Sequence, residues 1–303
     1  LQMCDSTFAA LGRQFNDEEL AHLREVLRNQ LTAAYTESQR SNIVITYSTD
    51  AGKNLQDQVN TRFSTVAEVY ENWVATRKPP LFGTEPDARV WALANETADP
   101  RSFRILEIGP GPGRNTLPLA RRGHPMEVVE ITPKFAEILQ SEAHRNALDI
   151  RVIVRDVFET TADLRNDYQM ILVSEVVPDF RTTQQLRSVF ELAAQCLAPG
   201  GQLVLNTFVS RLGYQIEDVA REFGQQAYSC MFSPEETAAA AAGLSLELVS
   251  DESVYDYEQA HLPPGAWPQT GWYANWASGL DVFPGKREES PIELRWLVYR
   301  KTA

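Results

Sequence analysis

Residues 105–115 read ILEIGPGPGRN, an apolar run carrying the acid Glu107 and followed by glycines at 109, 111 and 113. Ile105, Leu106 and Ile108 suit a buried strand, and the glycines let the backbone turn sharply and approach a ligand with no Cβ between them. From Arg114 the apolar spacing becomes helical through Leu117, Leu119 and Ala120, and Gly123 supplies a C-terminal stop. The free amides at the start of that helix point back over the loop. Strand, glycine turn and helix form one unit, shaped to hold a nucleoside-containing cofactor.

The dinucleotide fingerprint needs glycine at its first, third and sixth positions, and the sixth position counted from Gly109 is Arg114. A nicotinamide-dependent oxidoreductase is therefore a reading that Arg114 opposes. The pattern acid-x-Gly-x-Gly-x-Gly from Glu107 to Gly113 resembles motif I of the class I S-adenosylmethionine-dependent methyltransferases. That resemblance implies an α/β fold with a seven-stranded, mostly parallel, doubly wound sheet whose last strand is antiparallel. It also implies that the loop, with Asn115 after it, passes under the methionine part of S-adenosylmethionine, Glu107 orienting the loop and the cofactor's amino group.

Further runs follow in the order such a sheet requires. MEVVEIT ends in Glu130, about 20 residues past the loop, where an acid accepts hydrogen bonds from ribose hydroxyls; Ile131 follows it. Glu130 on its own also reads as a solvated acid or a helix cap. IRVIVRDVF places Asp156 near the expected adenine amine, with Val157 and Phe158 as apolar neighbours of the ring, although an Asp here equally starts a turn. YQMILVSEVVPDF ends in Ser174 and Glu175, where acceptor and cofactor methyl meet if ligands lie outside the carboxyl ends of the strands. The family's Asn/Asp-Pro-Pro-aromatic motif for exocyclic amines is replaced by Ser174 to Pro178, which disfavours that chemistry. APGGQLVLNTF, LSLELVS and IELRWLVYR complete seven strands, the first behind a Pro199-Gly200-Gly201 turn.

Candidate catalytic residues are Glu175, as base or acceptor-orienting group, then Asp179 and His261; His261 also reads as an ordinary surface or packed histidine. Displacement at a methyl group depends mainly on alignment and exclusion of water, so a base is required only for a protonated acceptor.

The net charge of −13 and pI near 4.9 give no global support for binding a phosphate backbone, and Arg121-Arg122 reads as a helix C-terminal pattern. Cys4, Cys196 and Cys230 are scattered, and no apolar stretch approaches the roughly 18 residues of a membrane span, so a cytoplasmic enzyme without membrane or nucleic-acid partners is expected. His22, His124, His144 and His261 show no ligand spacing, and no metal is expected.

Outside the core, residues 1–99 read as a helical and hairpin extension that serves as a lid, and residues 100–303 as the methyltransferase domain with insertions at about 209–232 and 251–291. Asn16 caps an amphipathic helix, NIVITYSTD and DQVNTRFSTV form a hairpin around Gly52, and Thr65 with Glu68 makes a capping box. The 251–291 insertion is rich in Trp, Pro and Gly and reads either as a lid that excludes water or as a long loop with a small core of its own. RNTLPLARRGHP and PIELRWLVYR are also similar to a bacterial methyltransferase family sometimes described by attached tetratricopeptide repeats, although no such repeat is visible. The reading is methyl transfer to a small molecule or a protein side chain, at O, N or C. A domain of a larger synthase and a non-catalytic S-adenosylmethionine sensor or scaffold are the alternatives.

Overall fold

The structure, a computed structural model, describes residues 1–38, 40–49 and 55–302. Helix α1 (Gln2–Ala10) precedes α2 (Asp17–Glu37). Asn16 Oδ1 accepts from the Glu19 N–H at 2.9 Å, and Glu19 Oε2 accepts from the Asn16 N–H at 2.9 Å. This closes a capping box on a first turn whose acids oppose the helix dipole. Strands β1 (Asn42–Thr49) and β2 (Leu55–Arg62) pair antiparallel from Asn42 with Arg62 to Thr49 with Leu55, the expected hairpin; the expected Gly52 turn lies outside the described residues. Helix α3 (Val66–Thr76) opens on the Thr65–Glu68 capping box, with bonds of 2.8 and 3.1 Å.

The chain divides into two compact units, Leu1–Val69 and Tyr70–Ala303. The sequence places a boundary after residue 99. The division comes earlier because α4 (Ala88–Ala94) sinks Val90, Leu93 and Ala94 into the core of the larger unit.

Along that unit run β3 (Ile105–Ile108), α5 (Thr116–Arg122), β4 (Met126–Glu130), α6 (Pro133–Arg145), β5 (Ile150–Val154), β6 (Tyr168–Val173), α7 (Thr183–Cys196) and β7 (Leu197–Ser210). They are followed by α8 (Asp218–Gln226), β8 (Met231–Phe232), α9 (Pro234–Ala241), β9 (Leu246–Ser253), α10 (Val254–His261), α11 (Tyr273–Ala277) and β10 (Ile292–Lys301). The sheet order is β5-β4-β3-β6-β7-β10-β9, with β3 to β7 parallel and β10 antiparallel to both neighbours. These are the seven expected strands; the two-residue β8 adds to β7 at Phe208 and Val209.

Alternate strand residues feed opposite faces. Leu106, Ile108, Ile171, Val173, Leu203 and Leu205 join Leu186, Val189 and Phe190 of α7 in one core. Ile105, Met170, Leu172, Val204 and Trp296 join Val90 of α4, Leu119 of α5 and Trp276 of α11 in the other. Burial on both faces explains why these strands read as nearly unbroken apolar runs.

Two expectations are corrected here. Pro199 to Gly201 is not a turn before β7 but a bulge inside it, where the pairing to β6 shifts between Tyr168 and Met170 and a Cβ on Gly201 would lie 2.8 Å from the Tyr168 carbonyl oxygen. The 251–291 insertion is not a loop with a core of its own, because Tyr273, Trp276, Ala277 and Val282 pack into the same core as Met170 and Phe208.

Candidate active site

Strand order reverses between β3 and β6, and an open α/β sheet binds its ligand outside the carboxyl ends at such a point. Gly109, Gly111 and Gly113 have φ of +68, +55 and +98°, left-handed values that side chains rarely adopt. A Cβ on Gly109 would lie 2.4 Å from Val176 Cγ2, and one on Gly113 2.7 Å from Leu139 Cδ1. Under the loop, Glu107 is buried and accepts from the Thr116 hydroxyl; burial pushes its carboxyl up to about 7, against the pull of Thr116 and Arg114.

Glu130, at the end of β4, is 3 % exposed. Its carboxylate accepts from the Gly111 N–H at 3.0 Å and the Thr132 N–H at 2.7 Å, bonds that pull against the upward push of burial. A carboxylate has about four acceptor directions, so a carboxylate that fixes the glycine loop still has acceptor capacity for ribose hydroxyls. Ile131 beside it is exposed. Asp156 accepts from the Phe158 N–H at 2.9 Å, so its side chain is engaged in the turn. Val157 is in the core, and Phe158 packs on Phe180 at 5.5 Å between centroids. The glycine cradle, with buried Glu107 and Glu130, fits an adenosyl cofactor that carries no phosphates.

At the crevice itself sits a largely buried polar network. Asp87 is fully buried and accepts from the Arg114 guanidinium, from Asn115 Nδ2 at 2.9 Å and from Ser174 Oγ at 2.7 Å. Arg114 Nη2 donates to Glu175 Oε1 at 2.5 Å. The Glu175 N–H donates to Asn206 Oδ1 at 2.7 Å, and Asn206 Nδ2 donates to Ser174 Oγ at 3.3 Å. These bonds hold Glu175 at φ +59°, a conformation that costs a non-glycine residue on the order of 1–3 kcal/mol. Burial, with Asp87 nearby, pushes the Glu175 carboxyl up to about 7 although Arg114 and Tyr273 pull it down. Burial works against the Arg114 cation, but Asp87 and Glu175 outweigh it and keep it charged.

Glu258 of α10 is also buried and pushed up to about 7 by desolvation and by Asp87. It accepts from the Ala88 and Arg89 amides at 2.7 and 3.2 Å and from Trp296 Nε1 at 3.0 Å, thereby capping α4. Tyr273 of α11 is buried against Glu175. Desolvation and then the charges of Glu175 and Asp87 push this phenol far above its ordinary value.

An aromatic wall stands over the glycine loop. Phe82 lies within 3.8 Å of where a Gly111 Cβ would be, and packs on Phe135 and Tyr70 at 5.8 and 6.1 Å. Trp73 bridges from Phe82 to Tyr228 at 6.1 and 5.6 Å. Tyr70 Oη donates to Asp179 Oδ2 at 2.7 Å, so Asp179 ties the wall to the end of β6. His261 is exposed on the last turn of α10, where its ring stacks on Tyr257 at 4.1 Å and Nδ1 lies 2.8 Å from the Tyr257 carbonyl oxygen. Among the predicted residues the structure thus gathers Asn115, Ser174 and Glu175 into one network and leaves His261 outside it. Asp87, Asn206, Glu258 and Tyr273 escape sequence reading because long chain separations bring them in. Arg114, the charged residue in a glycine loop, is the one signal that was available.

Among the described residues no cluster of His, Cys, Asp or Glu has the arrangement of a metal site, and no helix is long and apolar enough to cross a membrane.

Residues 105–201 match a family described as a methyltransferase domain. A probable ribosomal RNA small subunit methyltransferase A from Pyrobaculum islandicum is 42% identical over 60 residues, 20% of this chain and 24% of that protein. A ubiquinone biosynthesis O-methyltransferase from Xanthomonas axonopodis pv. citri is 24% identical over 165 residues, 50% of this chain and 66% of that protein. The chain thus spans about a quarter and just under two thirds of the lengths of these relatives. The crystal structure of geranyl diphosphate C-methyltransferase from Streptomyces coelicolor A3(2), with Mg2+, geranyl diphosphate and S-adenosylhomocysteine, shares the fold at a TM-score of 0.54 and 15% identity, over 71% of this chain and 79% of that one. Glycine cradle and strand order agree with the family match: residues 105–201 form a methyltransferase domain, and the larger unit has the class I, Rossmann-like fold.

Proposed function

We propose that the protein methylates a small acceptor carrying a protonated nucleophile, a hydroxyl or an amine, with Glu175 as the proton acceptor. The observation that carries this reading is Glu175 itself, at the end of β6 beside the glycine loop, with a carboxyl near 7. A base is most effective when its pKa lies near the working pH, and contributes typically about a hundred- to ten-thousand-fold. The bound cofactor supplies an electrophilic methyl group: a bond to the acceptor forms as the carbon–sulfur bond breaks, the electron pair goes to sulfur, and the acceptor's proton goes to the Glu175 carboxylate.

The protein's own groups do the rest. Gly109 to Gly113 and Glu107 position the methionine part, Glu130 the ribose, and Ile131 and Val157 border the adenine, while Arg114, Asn206 and Ser174 hold Glu175 in its strained conformation. The wall of Tyr70, Trp73, Phe82 and Phe135 supports a compact acceptor and exclusion of water. Cys4, Cys196 and Cys230 are free thiols, which supports a reducing compartment such as the cytoplasm.

The test is transfer of a labelled methyl from S-adenosylmethionine into an extract of the source cells. Label in the small-molecule fraction, lost with Glu175→Gln, is the expected result. Label confined to protein would make a side chain the acceptor, and no label in either fraction would favour a sensor or scaffold.

A further inference from the structure

We propose that Asp87 and Glu175, buried beside Arg114 at the crevice between β3 and β6, make the site selective for the positively charged methyl donor over its uncharged thioether product. The inference rests on the donor and not on the identity of the acceptor.

Charge bookkeeping carries it. Two carboxyls share the Arg114 guanidinium, so with both ionised the trio holds one surplus negative charge; its side chains are 0, 7 and 13 % exposed for Asp87, Arg114 and Glu175. Glu107 and Glu258 lie in the same acid field, the one acted on by Asp87 and Arg114, the other by Asp87. A buried charge without a counter-charge is strongly unfavourable, and it is relieved either by a proton or by a cation.

The groups facing Glu175 leave the first answer to the free protein. They are Arg114 from the loop before α5, Asp87 from the segment before α4, Asn206 of β7 and Tyr273 of α11, whose hydroxyl favours the ionised carboxyl. Around Glu107 stand Thr116, Asn115, Arg114 and Asp87. Arg114 is the cation in both sets, and burial holds both glutamates up to about 7. A sulfonium supplies the second answer. S-adenosylhomocysteine has the same adenosine, ammonium and carboxylate and lacks only the methyl and the sulfonium charge, so comparing the two ligands isolates the effect of that charge.

The sign follows. A cation favours the ionised carboxyl, so binding of S-adenosylmethionine expels a proton and tightens as pH rises through about 7. The neutral sulfur gains little from that ionisation. During turnover the sulfonium charge disappears as Glu175 takes up the acceptor's proton, which keeps the net charge of the pocket constant and favours release of the product.

Isothermal titration of the full chain with each ligand tests this between about pH 6 and about pH 8.5, in phosphate and in Tris. The dissociation-constant ratio of S-adenosylhomocysteine to S-adenosylmethionine is expected to rise roughly tenfold across that range, the change in occupancy of one proton site. The heat of S-adenosylmethionine binding is expected to differ between the buffers, showing proton release. Glu175→Gln is expected to flatten the pH dependence and bring the ratio towards its low-pH value. A ratio independent of pH in the unmodified protein, or one that falls as pH rises, overturns the inference whether or not the variant folds. Failure of both ligands to bind would overturn it together with the donor assignment, a separate and recognisable outcome.

Discussion

Arg114 occupies the position where a dinucleotide-binding loop requires glycine, and its guanidinium is engaged by Asp87 and Glu175. Arg114→Met leaves two carboxylates buried without a counter-charge, and removing one partner of a buried pair costs about 3–5 kcal/mol. Thermal unfolding of this variant is expected at markedly lower temperature near neutral pH, with partial recovery in acid as Glu175 is protonated. Glu107 and Glu175 also fix the sign of the protein's own pH dependence. Both have folded-state values raised to about 7 from the ordinary 4.5 of a glutamate, so the folded state holds protons that the unfolded chain has lost. Their contribution is complete below about 4.5 and is lost as pH rises through about 7; each is worth about 3 kcal/mol at most. Unfolding followed by circular dichroism is expected to show stability falling across that window, and Glu107→Gln to shrink the fall.

At the scale of elements, the glycine loop separates two kinds of positive-φ glycine. Gly109→Ala meets both an unfavourable φ and a contact 2.4 Å from Val176 Cγ2, whereas Gly200→Ala has φ +78° and nothing within 4 Å. The first is expected to abolish the thermal upshift given by S-adenosylhomocysteine; the second costs only backbone strain, on the order of 1 kcal/mol, and keeps the upshift. The strands were legible because parallel strands buried on both faces are written as apolar runs, and Glu107, Glu130 and Glu175 were legible because each sits at or near the end of one. The network around them was not. Asn206 lies within β7 and reads as a polar interruption, Tyr273 lies in a Trp-rich insertion, and Glu258 is an unremarkable acid in a helix. Nothing local distinguishes them, since what makes them matter is a partner 31 residues away for Asn206 and 170 for Glu258. His261 stands apart for the opposite reason: a histidine attracts a catalytic reading by type, and here its ring meets Tyr257 of its own helix.

For the whole molecule, charge bears on the proposed small acceptor. A net charge of −13 opposes the counterion-release mechanism by which phosphate backbones are bound, even though one partial relative is named for ribosomal RNA. Gel-shift titration with structured RNA at about 0.1 M salt is expected to show no complex at micromolar protein; a complex that weakens steeply with salt would point to a nucleic-acid acceptor. The central claim is that the crevice between β3 and β6 holds a phosphate-free adenosyl cofactor, and calorimetric titration of the full chain with S-adenosylhomocysteine, beside NAD and beside Gly109→Ala, tests it most directly. Saturable binding of S-adenosylhomocysteine at one site, absent in Gly109→Ala and absent for NAD, is the predicted result; binding of NAD without binding of S-adenosylhomocysteine would contradict it.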